Sequence, residues 1–356
     1  MTQQRTQTLL EWAQGVPKID LHRHLEGSLR LDTLADIAIE HGIDLPSYDI
    51  EQLRPYVQVT EETPDYHRFL EKFKLLRRFY TSKEAVQRIT REAILDAAED
   101  NVRYLELRFN PVALARAQGF PLPDVIDWVK ETVAETQMET GTRTCLILSI
   151  NRAESRLAEE IVDLAIANFG PLVRGIDLTG NEVQFPPHLF KAPFERARAA
   201  GLGLTVHAGE ASGAESVRVA VEALNAQRIG HGIHAVEDSN VIALLRDRRV
   251  GLEVCPTSNF QTGVVRHLML HPLLDLLNLR LPVTINTDDP SVSDTTLSDE
   301  YIIAIRAIGV QKNMIFQVLW NAVDVAFIPE DERGALRAQF REALAPYPEA
   351  QDIWET

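Results

Sequence analysis

Apolar residues along this chain fall into two alternating kinds of run. Short β-rich runs bounded by turn or polar residues lie at 16–22, 102–110, 142–151, 173–179, 202–208, 227–231, 250–256 and 282–287. Between them apolar positions recur with helical period, as in Glu84 to Asp100, which carries Val86, Ile89, Ile94 and Ala97, and in Ala214 to Leu224. Runs such as Gly201-Leu-Gly-Leu-Thr-Val and Leu281-Pro-Val-Thr-Ile lack a clean polar and apolar alternation, as expected of parallel strands covered on both faces. Eight strands alternating with helices predict an α/β fold, one (β/α)8 TIM barrel over residues 1–356, with no linker, low-complexity tract or internal repeat to divide it.

The spacing is uneven in one place. About eighty residues separate the first and second runs, against roughly twenty to forty for the later ones, which predicts a helical insertion over about 31–100. Within it Leu31 to His41 and Asp65 to Phe79 read as helices, and Tyr66, Phe69, Leu70 and Phe73 fall at i, i+3, i+4 and i+7 on one face. That stripe is either core packing or an apolar lid over the barrel mouth. Ser298 to Ile308, Asn313 to Phe327 and Glu330 to Leu344 read as extra helices closing the C-terminal end.

Composition narrows the class. With 45% hydrophobic and 25% charged residues the chain is neither disordered nor collagenous, and 36 basic against 52 acidic residues leave a net charge of −16. That charge offers no general attraction for nucleic acid or an anionic membrane. Two cysteines, Cys145 and Cys255, suit a reducing compartment. Met1 to Gln14 lacks the apolar core of a signal peptide and no run of apolar residues is long enough to span a bilayer, so a cytoplasmic protein is expected.

Active sites of such barrels lie at the carboxyl ends of the strands, and reactive side chains accumulate there. Strand 1 ends in Asp20-Leu-His-Arg-His24, where a period of two puts His22 and His24 on one face. Strand 5 ends in His207-Ala-Gly-Glu210, strand 6 in His231-Gly232, and strand 8 in Asp288-Asp289-Pro290. Four of the ten histidines therefore gather at three strand ends, with an acidic pair at a fourth. Imidazole and carboxylate suit zinc, and an open position on it marks a catalytic site, so His22, His24, His207 and Asp288 are assigned as ligands. Iron, manganese or cobalt would suit the same donors. Neither cysteine lies in a Cys-x-x-Cys pair, which excludes a thiolate site. Zinc lowers the pKa of bound water to roughly 7. Glu210 is suited to give a proton beside the bond being broken, His231 to orient the hydroxide or stabilise its charge, and Asp289 to accept a hydrogen bond from water or substrate.

Taken in order, Pro17-Lys-Ile-Asp-Leu-His-Arg-His-Leu-Glu-Gly-Ser28, Tyr104-Leu-Glu-Leu-Arg-Phe-Asn-Pro111, Asp177-Leu-Thr-Gly-Asn-Glu182, His207-Ala-Gly-Glu210, Arg228-Ile-Gly-His-Gly232, Glu253-Val-Cys-Pro-Thr-Ser-Asn259, Thr284-Ile-Asn-Thr-Asp-Asp-Pro290 and Thr296-Leu-Ser-Asp-Glu-Tyr301 resemble the adenosine deaminase family of mononuclear zinc amidohydrolases. The resemblance implies one Zn2+ per chain, consistent with the absence from strand 4 of the lysine that bridges two metals in related barrels. It implies that Glu210 protonates N1 of the purine, His231 positions the hydroxide attacking carbon 6, Asp289 contacts hydroxide and N7, and the Gly180 N–H donates to N3. His24 and Glu26 would bind substrate, Glu26 at the ribose, and Tyr66, Phe69, Leu70 and Phe73 would form the lid. The activity it implies is zinc-dependent deamination of adenosine and 2′-deoxyadenosine to inosine and deoxyinosine, with release of ammonia, in purine salvage. A small-molecule purine nucleoside is thus the partner.

One position departs from the pattern. Glu26 stands where many adenosine-specific members carry Asp, near the expected ribose 5′ hydroxyl, which opens the pocket to 5′-modified nucleosides. Adenine deaminases resemble the chain as well and often carry Glu there. Gly230, Thr287 and the lid residues favour a nucleoside over free adenine. AMP is disfavoured because no extra basic cluster is evident. A different mononuclear amidohydrolase would lack Gly180 and the lid, and a non-catalytic zinc or nucleoside-binding protein would lack Glu210 or Asp289.

Overall fold

The computed structural model describes residues 8–353. Part of the stretch assessed for a signal peptide, Met1 to Gln7, and the last three positions lie outside the described residues. Eight parallel strands, β1 (Lys18–His24), β2 (Val102–Phe109), β3 (Arg143–Asn151), β4 (Val173–Thr179), β5 (Gly203–Ala208), β6 (Arg228–His231), β7 (Gly251–Val254) and β8 (Val283–Ile285), follow one another in sheet order. They form an α/β TIM barrel that is almost closed. The seam between β8 and β1 is held by a parallel bridge at Arg23 and Asp288, where the His24 N–H donates to the Asp288 carbonyl and the Asp288 N–H to the His22 carbonyl, each at 2.8 Å.

Both faces of the sheet are covered. Every residue of β5, β6, β7 and β8 is buried, yet polar and apolar side chains still alternate: Thr205, His207, Arg228, Glu253 and Thr284 fall between Leu204, Val206, Ile229, Leu252, Val254, Val283 and Ile285. The first strand begins two residues later than the pattern suggests and runs through His24, with a register irregularity between Asp20 and Arg23. This carries both histidines to the barrel mouth. At the opposite end, Gly175 and Gly203 are register partners, and a Cβ on Gly203 would lie 2.3 Å from the Phe327 ring. Glycine there lets Phe327 close the floor, with the Arg228 guanidinium stacked 3.6 Å from its centroid.

Buried charges link the floor to the mouth. Glu106 on β2 accepts from Arg228 at 2.5 Å, Arg228 reaches Glu253 at 2.5 Å, and Arg108 joins Glu253 at 2.8 Å to Asp177 at 2.7 Å. β2 is not a sheet neighbour of β4, β6 or β7, so these bonds cross the barrel interior. The charges alternate in sign and are fully buried, which is tolerable because each is paired.

Helix α1 (Leu9–Gly15) precedes the barrel, capped by Thr8 and Glu11. Between β1 and β2 lie α2 (Leu31–His41), α3 (Ile50–Val57), α4 (Tyr66–Leu76) and α5 (Lys83–Glu99). α5 packs against the helix Leu122–Thr140 in the outer ring. α3 was not legible, because it contains Pro55 and buries only Leu53 and Val57. Leu297–Ile303 with a π-helical turn at Ala304–Ile308, then Lys312–Val325 and Glu330–Leu344, form the C-terminal helices. No helix among the described residues is long and apolar enough to cross a membrane.

Candidate active site

The barrel mouth brings His22, His24, His207 and Asp288 together, with one ligand atom from each lying within 4.8 Å of the others. Asp288 Oδ1 stands 3.2 Å from His22 Nε2 and 3.3 Å from His24 Nε2, while the Nε2 atoms of His24 and His207 face each other at 3.3 Å. The outer nitrogens are already engaged. His22 Nδ1 lies 2.7 Å from Glu253 Oε2 and His207 Nδ1 3.1 Å from Asp177 Oδ1, so each donates to a carboxylate and turns its Nε2 lone pair inward.

This donor set fits a divalent cation. His22 Nε2 is buried without a hydrogen-bond partner, and the inward lone pair of His207 Nε2 faces His24 Nε2 at 3.3 Å, a pair of nitrogens that a cation between them would join. Burial would raise Asp288, but the imidazoles crowded around it, His22 foremost, hold it well below the usual carboxylate range. Burial holds His24 well below its ordinary value, keeping it neutral as a ligand must be. Cys255 also lies near His231 and Asp288, but burial pushes its thiol well up, so it offers no thiolate.

Around this centre one cavity is lined by His24, Glu26, Tyr66, Phe69, Leu70, Phe73, Gly180, His207, Glu210, His231, Asp288 and Asp289. Every site residue expected from the sequence therefore faces it except His22, which lies beneath and is wholly buried. Phe69 and Phe73 are 4% and 8% exposed, so the stripe on α4 is at once core and cavity wall. A wider groove at the floor of the barrel, beside Phe327 and Arg248, contains none of the clustered histidines.

The loop after β5 is held by Glu182, whose carboxylate accepts from the backbone N–H groups of Gly209, Glu210, Ala211 and Ser212 at 3.0, 2.8, 2.5 and 2.8 Å and from the Ser216 hydroxyl at 2.8 Å. Burial, with the charges of Asp288 and Glu182, pushes Glu210 well above the ordinary carboxyl range and so favours its protonated form. A cation on Asp288 offsets the second cause and leaves the first. Burial and the charges of Asp288, Glu26 and Glu210 likewise push Asp289 up, and its Oδ1 has no partner. His231 and Asp288 both adopt left-handed backbone, φ 63° and 62°, which costs about 1–3 kcal/mol each and turns their side chains back over the mouth. Gly180 sits at φ 92°, where a Cβ would lie 3.0 Å from Asn151 Oδ1.

His231 has an ordered partner chain. The Leu273 N–H donates to His271 Nδ1 at 3.0 Å, so His271 Nε2 donates to Asn259 Oδ1 at 3.2 Å, and Asn259 Nδ2 donates to His231 Nδ1 at 3.1 Å. The His231 proton is thereby placed on Nε2, which faces Glu210 at 3.7 Å and Asp288 at 3.9 Å. Burial depresses His231 well below its ordinary value, so it is a neutral donor. Sequence reasoning assigned no role to Asp177, Glu253, Arg108, Glu182, Asn259, His271 or Arg77. A signal existed for the first three, since a lone charge in an apolar strand covered on both faces requires a buried partner.

A family model described as adenosine deaminase matches residues 17–343. An adenosine deaminase from Yersinia pseudotuberculosis is 38% identical over 324 residues, which cover 90% of this chain and 96% of that protein. Among solved structures, an adenine deaminase from Arthrobacter aurescens is 30% identical with a TM-score of 0.85, covering 92% of this chain and 98% of its own. An amidohydrolase from Burkholderia ambifaria with bound Zn is 26% identical with a TM-score of 0.87, covering 100% and 98%.

Proposed function

Because the chain belongs to the adenosine deaminase family, we propose that it hydrolyses the 6-amino group of a purine nucleoside, taking adenosine and 2′-deoxyadenosine to inosine and deoxyinosine with release of ammonia. One zinc ion is held by His22, His24, His207 and Asp288. The observation that carries this reading is Glu210 on a clamped loop, facing the same cavity as the four convergent donors, where burial favours its protonated form. When bound there, the metal lowers the pKa of water to about 7 and so supplies hydroxide at neutral pH.

The chain's own residues do the rest. Glu210 gives its proton to N1, which makes carbon 6 electrophilic; once hydroxide has added, its remaining proton passes to the amino group, and the C6–N bond breaks to release ammonia as the C6=O bond forms. His231, with its proton on Nε2, donates to the attacking oxygen and holds it in line. Asp289, kept protonated by burial and by its acidic neighbours, donates to N7, which has only a lone pair to offer. The Gly180 N–H donates to N3, Glu26 accepts from the sugar through its unpartnered Oε2, and the α4 stripe excludes water. The test is loss of ultraviolet absorbance with zinc-loaded protein and adenosine, deoxyadenosine or adenine. Fast loss with the nucleosides and none with adenine is expected; turnover of adenine alone would overturn the nucleoside assignment.

A further inference from the structure

That mechanism leaves one charged group in the cavity without a role. Arg77, in the short turn Arg77–Phe79 after α4, lines the cavity together with Glu26, Phe73 and Asn110 and is the one lysine or arginine among the lining residues. Its Nε is buried without a partner, and its guanidinium enters no hydrogen bond or ion pair among the described residues. Nearby Glu26 does not serve as that partner: its Oε1 accepts the Asn110 N–H at 2.7 Å and its Oε2 stays open. A half-buried cation left without an anion is costly, and a neutral nucleoside does nothing to relieve it. With the base placed at Glu210 and Gly180 and the sugar at Glu26, Arg77 is on the sugar side of the cavity, near enough for its charge to act on the Glu26 carboxyl.

We propose that the preferred substrate is an adenine nucleoside whose 5′ carbon bears an anionic group that pairs with Arg77. The proposal rests on the deaminase reading and names its substrate class. The shared chemistry is an oxyanion presented to a planar guanidinium, which binds two oxygens at once. A carboxylate fits better than a phosphate dianion, because the one guanidinium in the cavity balances a single negative charge. Phe69, Leu70 and Phe73 offer an apolar wall for a spacer between sugar and charge.

The experiment compares kcat/KM of the zinc-loaded protein for adenosine, AMP, adenosine 5′-carboxylate and a 5′-deoxy-5′-(carboxyalkylthio)adenosine, in wild type, Arg77→Met and Arg77→Lys. At least one anionic nucleoside is expected to exceed adenosine by tenfold or more. In Arg77→Met that preference should fall about a hundredfold, mainly through KM, and Arg77→Lys should restore part of it; the lysine variant also serves if the methionine variant does not fold. The winning substrate identifies the source of the anion, AMP for phosphate and the other two for carboxylate. Adenosine outrunning every anionic member, or Arg77→Met lowering all substrates by one factor, would overturn the proposal while leaving the deaminase reading intact. Deamination of none of them would overturn both.

Discussion

Glu210 and Asp177 act at opposite edges of the same centre, and their substitutions separate proton delivery from metal holding. Glu210→Gln keeps the size and the backbone contacts to Glu182 but carries no acidic proton, so turnover should fall by about 10²–10⁴-fold while metal content, read by elemental analysis, stays at the wild-type level. Asp177→Asn removes the charge that orients His207 and should weaken zinc affinity by about 10–100-fold in a chelator competition. The four side chains that converge as possible metal donors could be picked out as residues because they stand at strand ends, where chemistry collects in such barrels. Asp177 and Glu253 were quoted within motifs yet given no task, since their work is to aim another side chain and only the distance to an imidazole reveals it.

Elements position the site through a few buried anchors. Glu300, in the helix Leu297–Ile303, accepts the Thr257 N–H at 3.1 Å and the Thr295 hydroxyl at 3.0 Å, tying that helix to the segment after β7. Burial is the main cause of its pKa of about 8, against hydrogen bonds that pull it down. The unfolded chain releases this proton near the ordinary carboxyl value of 4.5, so between about pH 4.5 and 8 the folded state binds the extra proton and stability declines as pH rises. Glu300→Gln should flatten that decline, so wild type should lose more in melting temperature than the variant between pH 5 and 8. Parallel slopes would remove Glu300 from the account. Helix periodicity and strand composition announced most elements, whereas α3 stayed hidden because it is short, carries Pro55 in its interior and buries only Leu53 and Val57.

For the whole molecule, the alternating charges from Glu106 to Asp177 serve as a strut inside the barrel. Arg228→Met leaves Glu106 and one side of Glu253 unpaired in a dry interior and should cost about 3–5 kcal/mol in urea unfolding, with part recovered when Glu106→Leu is added. Barrel architecture was legible from eight runs and their spacing, but not how the ring closes, since no local pattern encodes which residue of β8 meets which residue of β1. That closure is made by main-chain bonds at His24 and Asp288 and by the Leu21 N–H on Asn286 Oδ1, groups 265 positions apart. The zinc ion proposed there fastens the same two segments, so it acts as a buckle joining the first strand of the ring to its last, where a clip closing so long a loop gains the most. A ribosome-bound chain that has not yet delivered β8 has no buckle to fasten, and zinc loading therefore reports that synthesis has passed Asp288 and the ring has shut.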